Sequence, residues 1–180
     1  MPTVYIGVGS NIDPEINIPA ALLLLGEQVR IVSISTFYQT EPVGVSDSPP
    51  FYNGIVGVVT DIPPRELKFE ILRNIEEVLG RIRGADKYAP RTIDLDIIVY
   101  GNAIINEPGL VIPDPDIVNR AFIAVPLLEL EPDLVLPDYE VKLADVVESM
   151  PADSMVPLID FTRRLRLEIM NEPRENTTTD

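Results

Sequence analysis

The 180-residue sequence contains no histidine, no cysteine and no tryptophan. A proton relay through histidine and a cysteine nucleophile are therefore excluded. Zinc sites built from these residues and disulfide bonds are excluded for the same reason, which leaves oxygen atoms as the ligands for a metal ion. A metal bound by this chain is expected to be magnesium-like.

Positive charge is also scarce, because 14 lysines and arginines stand against 29 aspartates and glutamates, for a net charge of −15. Such a charge repels nucleic acids and anionic membranes. The chain has no uninterrupted apolar run of about 18 residues, and no basic region precedes its first apolar stretch. We therefore expect a cytoplasmic protein, in which any anionic partner meets a local basic patch.

The length fits one domain at about 150 residues per domain. Apolar patterning predicts strands over 3–10, 29–38, 51–61 and 92–100, with helices over 17–25 and 64–79 between them. This order is typical of a split βαβ arrangement. We predict an α+β protein with a ferredoxin-like βαββαβ core, an antiparallel sheet and helices on both faces.

Later segments complete this prediction. A hairpin is expected at 102–106, and short helices are expected at 120–130 and 143–150, where they could cover the second face of the sheet. Residues 171–180 contain no large apolar side chain. We predict a single domain over 1–170, followed by a disordered tail over 171–180.

The second long helix is predicted from apolar residues that recur at helical spacing. They are Leu67, Ile71, Leu72, Ile75, Val78 and Leu79. Four glutamates fall elsewhere on the helical wheel, and the solvated face of the helix is the expected place for them. These are Glu66, Glu70, Glu76 and Glu77.

Two aspartates, Asp94 and Asp96, lie two residues apart in the fourth predicted strand. The strand period places both on one face, with their Cβ atoms about 6 to 7 Å apart, so that both carboxylates can bind one Mg²⁺ or span a pair. The apolar residues expected on the other face are Ile93, Leu95, Ile97 and Val99. A bare pair of this kind also fits the solvated face of an edge strand.

Cations are concentrated just before this pair, since half of the 14 lie between Arg65 and Arg91. A guanidinium pairs two phosphate oxygens at once, and two aspartates with Mg²⁺ can bridge neighbouring phosphates. The combination indicates phosphoryl transfer. The same cations could instead neutralise the glutamates of the preceding helix. No glycine-rich phosphate loop is present.

The segment 89–97, Ala-Pro-Arg-Thr-Ile-Asp-Leu-Asp-Ile, closely resembles the signature of the 6-hydroxymethyl-7,8-dihydropterin pyrophosphokinases of folate biosynthesis. Further matches follow in the family's order and cover nearly all of residues 3 to about 140. They include Gly-Ser-Asn at 9–11, Phe-Tyr-Asn at 51–53, Gly-Arg-Ile-Arg at 80–83 and Asn-Arg-Ala-Phe at 119–122.

The resemblance implies that a single pyrophosphokinase domain transfers pyrophosphate from ATP to the pterin hydroxymethyl group and releases AMP. Two Mg²⁺ ions would be held by Asp94 and Asp96, and the family's fold agrees with the ferredoxin-like core. The expected partners are ATP and hydroxymethyldihydropterin, with no nucleic acid and no membrane, in a monomer or weak homodimer.

The resemblance also implies roles for other residues. Arg81 and Arg91 would be catalytic and would stabilise charge on the transferred group. The pterin-binding residues would be Thr40, Val43, Phe51, Asn53 and Phe122, with the two phenylalanines on either side of the ring. Without the resemblance, both phenylalanines would be assigned to core packing. The ATP-binding residues would be Glu76, Arg83, Tyr88, Ile97, Asp114 and Arg120.

The sequence departs from the family at Asp114, which stands where many members have a phosphate-contacting histidine. A carboxylate beside a triphosphate is unfavourable unless it turns away, pairs with Arg120 or reaches a metal. ATP affinity is therefore in question, and a catalytically weakened ferredoxin-like module that binds pterin or nucleotide is the alternative function. An RNA-binding domain is disfavoured, because no RNP1-like string is present.

Overall fold

A six-stranded antiparallel sheet organises residues 1–42, 48–82, 89–151 and 154–170, which the computed structural model describes. The elements begin with β1 (Thr3–Ser10), α1 (Pro14–Gln28), β2 (Arg30–Ile34), β3 (Tyr38–Thr40) and β4 (Phe51–Val59). A continuous helix, α2, follows over 64–78 and consists of Pro64–Glu66, a π-helical segment Leu67–Leu72, and Arg73–Val78. The next strand is β5 (Asp94–Tyr100).

The remaining elements are short. A hairpin of β6 (Ile105–Glu107) and β7 (Leu110–Ile112) leads through a 3₁₀ turn, Pro115–Val118, to α3 (Ala121–Leu130). The chain then forms β8 (Val135–Leu136), β9 (Val141–Lys142), α4 (Leu143–Ser149), β10 (Val156–Pro157) and α5 (Ile159–Met170). Among the described residues, no helix combines the length and apolar character that crossing a membrane requires.

The sheet order is β10–β3–β4–β1–β5, and β2 also pairs with β4. All of these pairings are antiparallel. The strand β1 is therefore central, whereas β5 lies at the end of the order. Because side chains alternate along a strand, the buried Ile6 and Tyr5 of β1 face opposite sides of the sheet.

Each face of the sheet packs against helices. On the first face, Ile6 clusters with Leu22 of α1, Leu72 of α2 and Phe161 of α5. The second face has a smaller cluster that includes Tyr5, Ile98, Leu127 of α3 and Leu143 of α4. Full burial of each aliphatic side chain contributes about 1.5–3 kcal/mol, so both faces are held by hydrophobic packing. The prediction of an antiparallel sheet with helices is confirmed.

The predicted single strand over 29–38 is wrong, because the structure divides it into β2 and β3. The buried Ser35 interrupts the strand, where its hydroxyl accepts a hydrogen bond from the backbone N–H of Ile55 at 2.9 Å. The backbone N–H of Phe37 then donates to the Thr162 hydroxyl of α5 at 2.9 Å. These side-chain contacts with distant residues lie at the break between β2 and β3, and strand patterning does not reveal them.

The first helix begins earlier than predicted, at Pro14 instead of Asn17. Asp13 has a left-handed backbone with φ of 44°, and its carbonyl accepts from the N–H groups of Ile16 and Asn17, both at 2.9 Å. Pro14 occupies the first turn, where its missing N–H costs nothing. Gly26 lies inside this helix and does not end it.

The π-helical segment of α2 changes which side chains face the core. In a regular α-helix Val78 would share the apolar stripe, but it is 64% exposed. Glu76, which the helical wheel assigned to solvent, is only 1% exposed. A π turn takes about one residue more than an α turn, so positions after it rotate relative to those before it.

Two further predictions are corrected. A β-bulge in β5 opposite Tyr5 and Ile6 places Val99 on the second face, whereas Leu95 and Ile97 stay on the first. The hairpin predicted at 102–106 lies at 105–112, with Gly109 in its turn at φ of 77°. Residues 163–166 belong to α5. The predicted disordered tail, 171–180, lies outside the described residues.

Candidate active site

Asp94 and Asp96 begin β5 and point to the same side of the sheet, as their spacing predicted. Their partners on β1 are Gly9 and Gly7, which have no side chains to cover the carboxylates. The two aspartates line a cleft of about 190 Å³ together with Asp114 and Asp116. The cleft, which we call the carboxylate cleft, therefore has four acidic groups above a glycine floor.

Arginines neutralise Asp94. Arg81 donates hydrogen bonds to both Asp94 and Glu76, and Arg91 donates from Nη1 to Oδ2 of Asp94 at 2.7 Å. Burial lowers the pKa of Arg81, but the charges of Asp94 and Glu76 outweigh burial and raise it above its ordinary value. Arg81 therefore remains protonated beside the cleft, as charge stabilisation requires.

Glu76 connects α2 to the first residues of β5. Its carboxylate is buried and accepts the backbone N–H of Leu95 at 2.8 Å, besides the hydrogen bond from Arg81. The contact fixes Arg81 relative to the strand that carries Asp94 and Asp96. Ile97 is 3% exposed and packs in the first core. The predicted contacts of Glu76 and Ile97 with the nucleotide stay predictions.

A second cleft, of about 270 Å³, adjoins the carboxylate cleft, and we call it the aromatic cleft. Its lining includes seven of the residues that the sequence predicted for the site, namely Thr40, Phe51, Asn53, Arg91, Asp94, Arg120 and Phe122. The Arg91 guanidinium carbon lies 5.7 Å from the centroid of the Phe51 ring. Two phenylalanines beside polar groups suit a flat heterocycle.

Asn53 is held in place by its neighbours at the edge of the aromatic cleft. Its Nδ2 donates to the Thr40 hydroxyl at 2.8 Å. Gly9 is its partner on β1, and a Cβ at residue 9 would lie 2.7 Å from the Asn53 Oδ1. Glycine is therefore required at residue 9 for Asn53 to adopt this position.

Asp114 caps the 3₁₀ turn by accepting the backbone N–H of Asp116 at 2.8 Å. Burial raises the pKa of Asp114 to about 6, and the charges of Asp96 and Asp116 act in the same direction, whereas Lys68 lowers it. Arg120 lies 4.0 Å from Asp116. Arg120 is therefore paired with Asp116, a residue that the sequence did not indicate as part of the site.

Sequence reasoning also missed roles for Lys68 and Asn11. Lys68 forms an ion pair with Asp96. Asn11 is buried, accepts the backbone N–H of Arg91 at 2.8 Å and donates to the carbonyl of Pro49 at 3.2 Å. Asn11 was visible only as part of the family motif, and nothing in the sequence connects Lys68 with a residue 28 positions away.

Three predicted site residues, Val43, Arg83 and Tyr88, lie outside the described residues.

The carboxylate cleft fits a magnesium ion that is bound together with a phosphate substrate. The ligand atoms it offers are carboxylate oxygens, and Mg²⁺ is commonly bound by one or two carboxylates together with phosphates and waters. Within 1–42, 48–82, 89–151 and 154–170, no group of three or more acidic residues is arranged to hold a metal ion. Asp94 and Asp96 would therefore supply the protein ligands, and the substrate would supply others.

The chain is similar to known proteins over most of its length. A family model described as 7,8-dihydro-6-hydroxymethylpterin-pyrophosphokinase (HPPK) matches residues 5–132. The 2-amino-4-hydroxy-6-hydroxymethyldihydropteridine pyrophosphokinase of Haemophilus influenzae is 37% identical over 161 residues, which are 88% of this chain and 99% of that protein. The protein of the same name from Pseudomonas aeruginosa is 38% identical over 138 residues, which are 75% of this chain and 84% of that protein.

Other relatives are longer. The chain is 37% identical over 160 residues to the folic acid synthesis protein fol1 of Pneumocystis carinii, and the match covers 88% of this chain but only 21% of that protein. The crystal structure of Plasmodium falciparum HPPK-DHPS A437G with SDX-DHP aligns with a TM-score of 0.67 at 14% identity. That alignment covers 82% of this chain and 45% of the other, and it concerns the fold alone.

Paired carboxylates, arginines and an adjoining aromatic cleft are features of an enzyme that transfers phosphate groups. The chain belongs to the 7,8-dihydro-6-hydroxymethylpterin-pyrophosphokinase family.

Proposed function

We propose that the chain transfers pyrophosphate from ATP to 6-hydroxymethyl-7,8-dihydropterin, giving the pterin diphosphate and AMP in folate biosynthesis. The observation that carries this proposal is the position of Asp94, which lines both the aromatic cleft and the carboxylate cleft. A pterin in the aromatic cleft would thus present its hydroxymethyl group to phosphates in the carboxylate cleft. Membership of the family supports the same reaction.

The reaction forms a bond between the hydroxymethyl oxygen and the β-phosphorus of ATP. The bond from the β-phosphorus to the oxygen that bridges it to the α-phosphorus breaks, so that AMP leaves with this oxygen, and the hydroxymethyl proton is released to solvent. Two Mg²⁺ ions held by Asp94 and Asp96 would neutralise phosphate charge and align the reacting groups. Arg81 and Arg91 would stabilise charge that develops on the transferred group.

The pterin would bind in the aromatic cleft. Phe51 and Phe122 would stack on its two faces, and Asn53 and Thr40 would contact its polar edge. Val43, although outside the described residues, is proposed for the same subsite from the family resemblance. The hydrogen bond between Asn53 and Thr40 supports this assignment, because it orients the amide before the substrate arrives.

The nucleotide would bind along the carboxylate cleft. The residues that we propose for it are Glu76, Arg83, Tyr88, Ile97, Asp114 and Arg120. Asp114 is supported because it lines this cleft, and Arg120 is supported because it lies beside Asp116, which lines both clefts. Arg83 and Tyr88 rest on the resemblance, and Glu76 is better supported as a residue that positions Arg81.

The finer features of the fold are proposals as well. A ferredoxin-like βαββαβ core is supported by the spatial order β2–β4–β1–β5 with α1 and α2 as the connections. We further propose a single domain over 1–170 that acts as a monomer or weak homodimer. Its cytoplasmic location stays a prediction from the sequence.

A magnesium-dependent assay of AMP release tests the proposed function. ATP, Mg²⁺ and the hydroxymethylpterin together should yield AMP and pterin diphosphate, and omission of either the pterin or Mg²⁺ should abolish both products. Asp94→Asn and Asp96→Asn should each lower turnover by about a thousandfold, because each removes a charged metal ligand. Asp133→Asn, at an exposed aspartate of the loop after α3, is the matched control.

The outcome that contradicts the proposal is an intact protein without AMP release above background. Calorimetric binding of pterin or nucleotide without AMP release would instead identify the weakened binding module.

A further inference from the structure

Lys68 contacts Asp96 of the carboxylate cleft from the other face of the sheet. The helix α2 packs its buried Leu67 and Leu72 in the first core, whereas Asp96 points to the second face. The side chain of Lys68 nevertheless reaches Asp96, because β5 lies at the end of the sheet order among the described residues. The Lys68 side chain is 15% exposed, so it is confined rather than extended into solvent.

The π-helical segment accounts for this position. In an uninterrupted α-helix, residue 68 would share a face with Leu72 and Ile75, and both of these are buried in the core. The segment Leu67–Leu72 inserts about one extra residue into the turn, so Leu67 takes the core position and Lys68 moves to the flank of the helix. A charge that would otherwise be buried thereby faces the site.

Two of the four acidic residues of the carboxylate cleft lie beside arginines. Asp94 is paired with two arginines, and Arg120 lies beside Asp116. Among the described residues, the cation paired with Asp96 is Lys68, and its charge also acts on Asp114. Lys68 is therefore near Asp96 and Asp114, two carboxylates that form no ion pair with an arginine within the described residues.

We propose that Lys68 is a nucleotide-binding residue, whose ammonium competes with a divalent cation for Asp96 and donates to a phosphate oxygen of ATP when Asp96 is a metal ligand. This inference rests on the proposed function. It gives the chain a donor near Asp114, where the family resemblance places a histidine. The alternative is a structural ion pair that holds α2 against β5.

Two binding measurements on Lys68→Met separate these roles, because the proposal predicts opposite changes. Mn²⁺ binding to the protein alone, measured by electron paramagnetic resonance, should become about tenfold tighter, since a charge-assisted competitor is removed from Asp96. Binding of α,β-methylene-ATP with Mg²⁺, measured by calorimetry, should become about tenfold weaker, since a phosphate donor is lost. The methylene group replaces the bridging oxygen whose bond breaks, so no turnover occurs.

Lys142→Met is the matched control, because it makes the same substitution at an exposed lysine of β9. Both affinities of this control should stay within about twofold of the parent. Lys68→Gln should change the two affinities in the same directions as Lys68→Met. Thermal unfolding shows which of the two variants is folded, and the affinities are measured on that variant.

An unchanged affinity in either measurement, or a change of both in the same direction, overturns the proposal. If the parent itself does not bind the nucleotide analogue, the proposed function fails instead. The two failures are therefore distinguishable.

Discussion

Replacement of Glu76 by alanine should destabilise the chain by about 3–5 kcal/mol, the usual cost of removing one partner from a buried ion pair. The carboxylate is 1% exposed, and it accepts hydrogen bonds from Arg81 and from the backbone N–H of Leu95. An unsatisfied buried N–H alone costs about 1–3 kcal/mol. At roughly 2–4 °C per kcal/mol for a chain of this size, the melting temperature should fall by about 6–20 °C.

Glu76→Gln refines this prediction, because glutamine keeps an acceptor for Leu95 but loses the charge that faces Arg81. Its destabilisation should be smaller, about 1–3 kcal/mol. Urea titrations with linear extrapolation give the free energies of unfolding, and thermal scans give the melting temperatures. Glu77→Ala, at the exposed neighbour in the same helix, is the control and should change stability by less than about 0.5 kcal/mol.

The reasoning is refuted if Glu76→Ala melts within about 2 °C of the parent. A loss of affinity for α,β-methylene-ATP without loss of stability would mean that Glu76 contacts the nucleotide and does not hold α2 to β5. Equal destabilisation by Glu76→Ala and Glu77→Ala would mean that both act through the helix alone.

Two further predictions concern the clefts. The pKa of Asp114 is raised from 3.8 to about 6, so its contribution to stability is full below pH 3.8 and is lost as the pH rises through 6. The free energy of unfolding of Asp114→Asn, relative to that of the parent, should therefore rise by about 2 kcal/mol between pH 4 and pH 8 in urea titrations without Mg²⁺. A difference in this free energy that does not vary with pH would contradict the prediction. Gly9→Ala should displace the Asn53 amide and raise KM for the pterin about tenfold, while KM for ATP stays within about twofold. Equal changes in both KM values would show a general loss of structure.

Local patterns in the sequence predicted the elements that surround the site. The alternation in β5 placed Asp94 and Asp96 on one face because side-chain direction along a strand depends only on position. It failed at Val99, since the β-bulge depends on how β5 pairs with β1. The division between β2 and β3 was missed for a similar reason, because Ser35 contacts a strand that lies about 20 residues away.

Helix α2 shows the same limit more clearly. Its apolar spacing predicted a helix correctly, but a regular period assigned Glu76 to solvent and Val78 to the core. The π turn reverses both assignments. The preference for that turn comes from packing, because it places Leu67, Leu72 and Ile75 together against the sheet.

The absence of histidine and cysteine, the oxygen ligands at residues 94 and 96, and the supply of nearby cations were all determined by the sequence alone. These are properties of residue type and of spacing along a few positions. Only the tertiary structure decided which cation meets which carboxylate, with Arg81 and Arg91 on Asp94 and Lys68 on Asp96. Such pairings depend on how a helix and an edge strand pack together. Residues that form ion pairs between two elements do not recur at a regular spacing in the sequence, so no pattern predicts them.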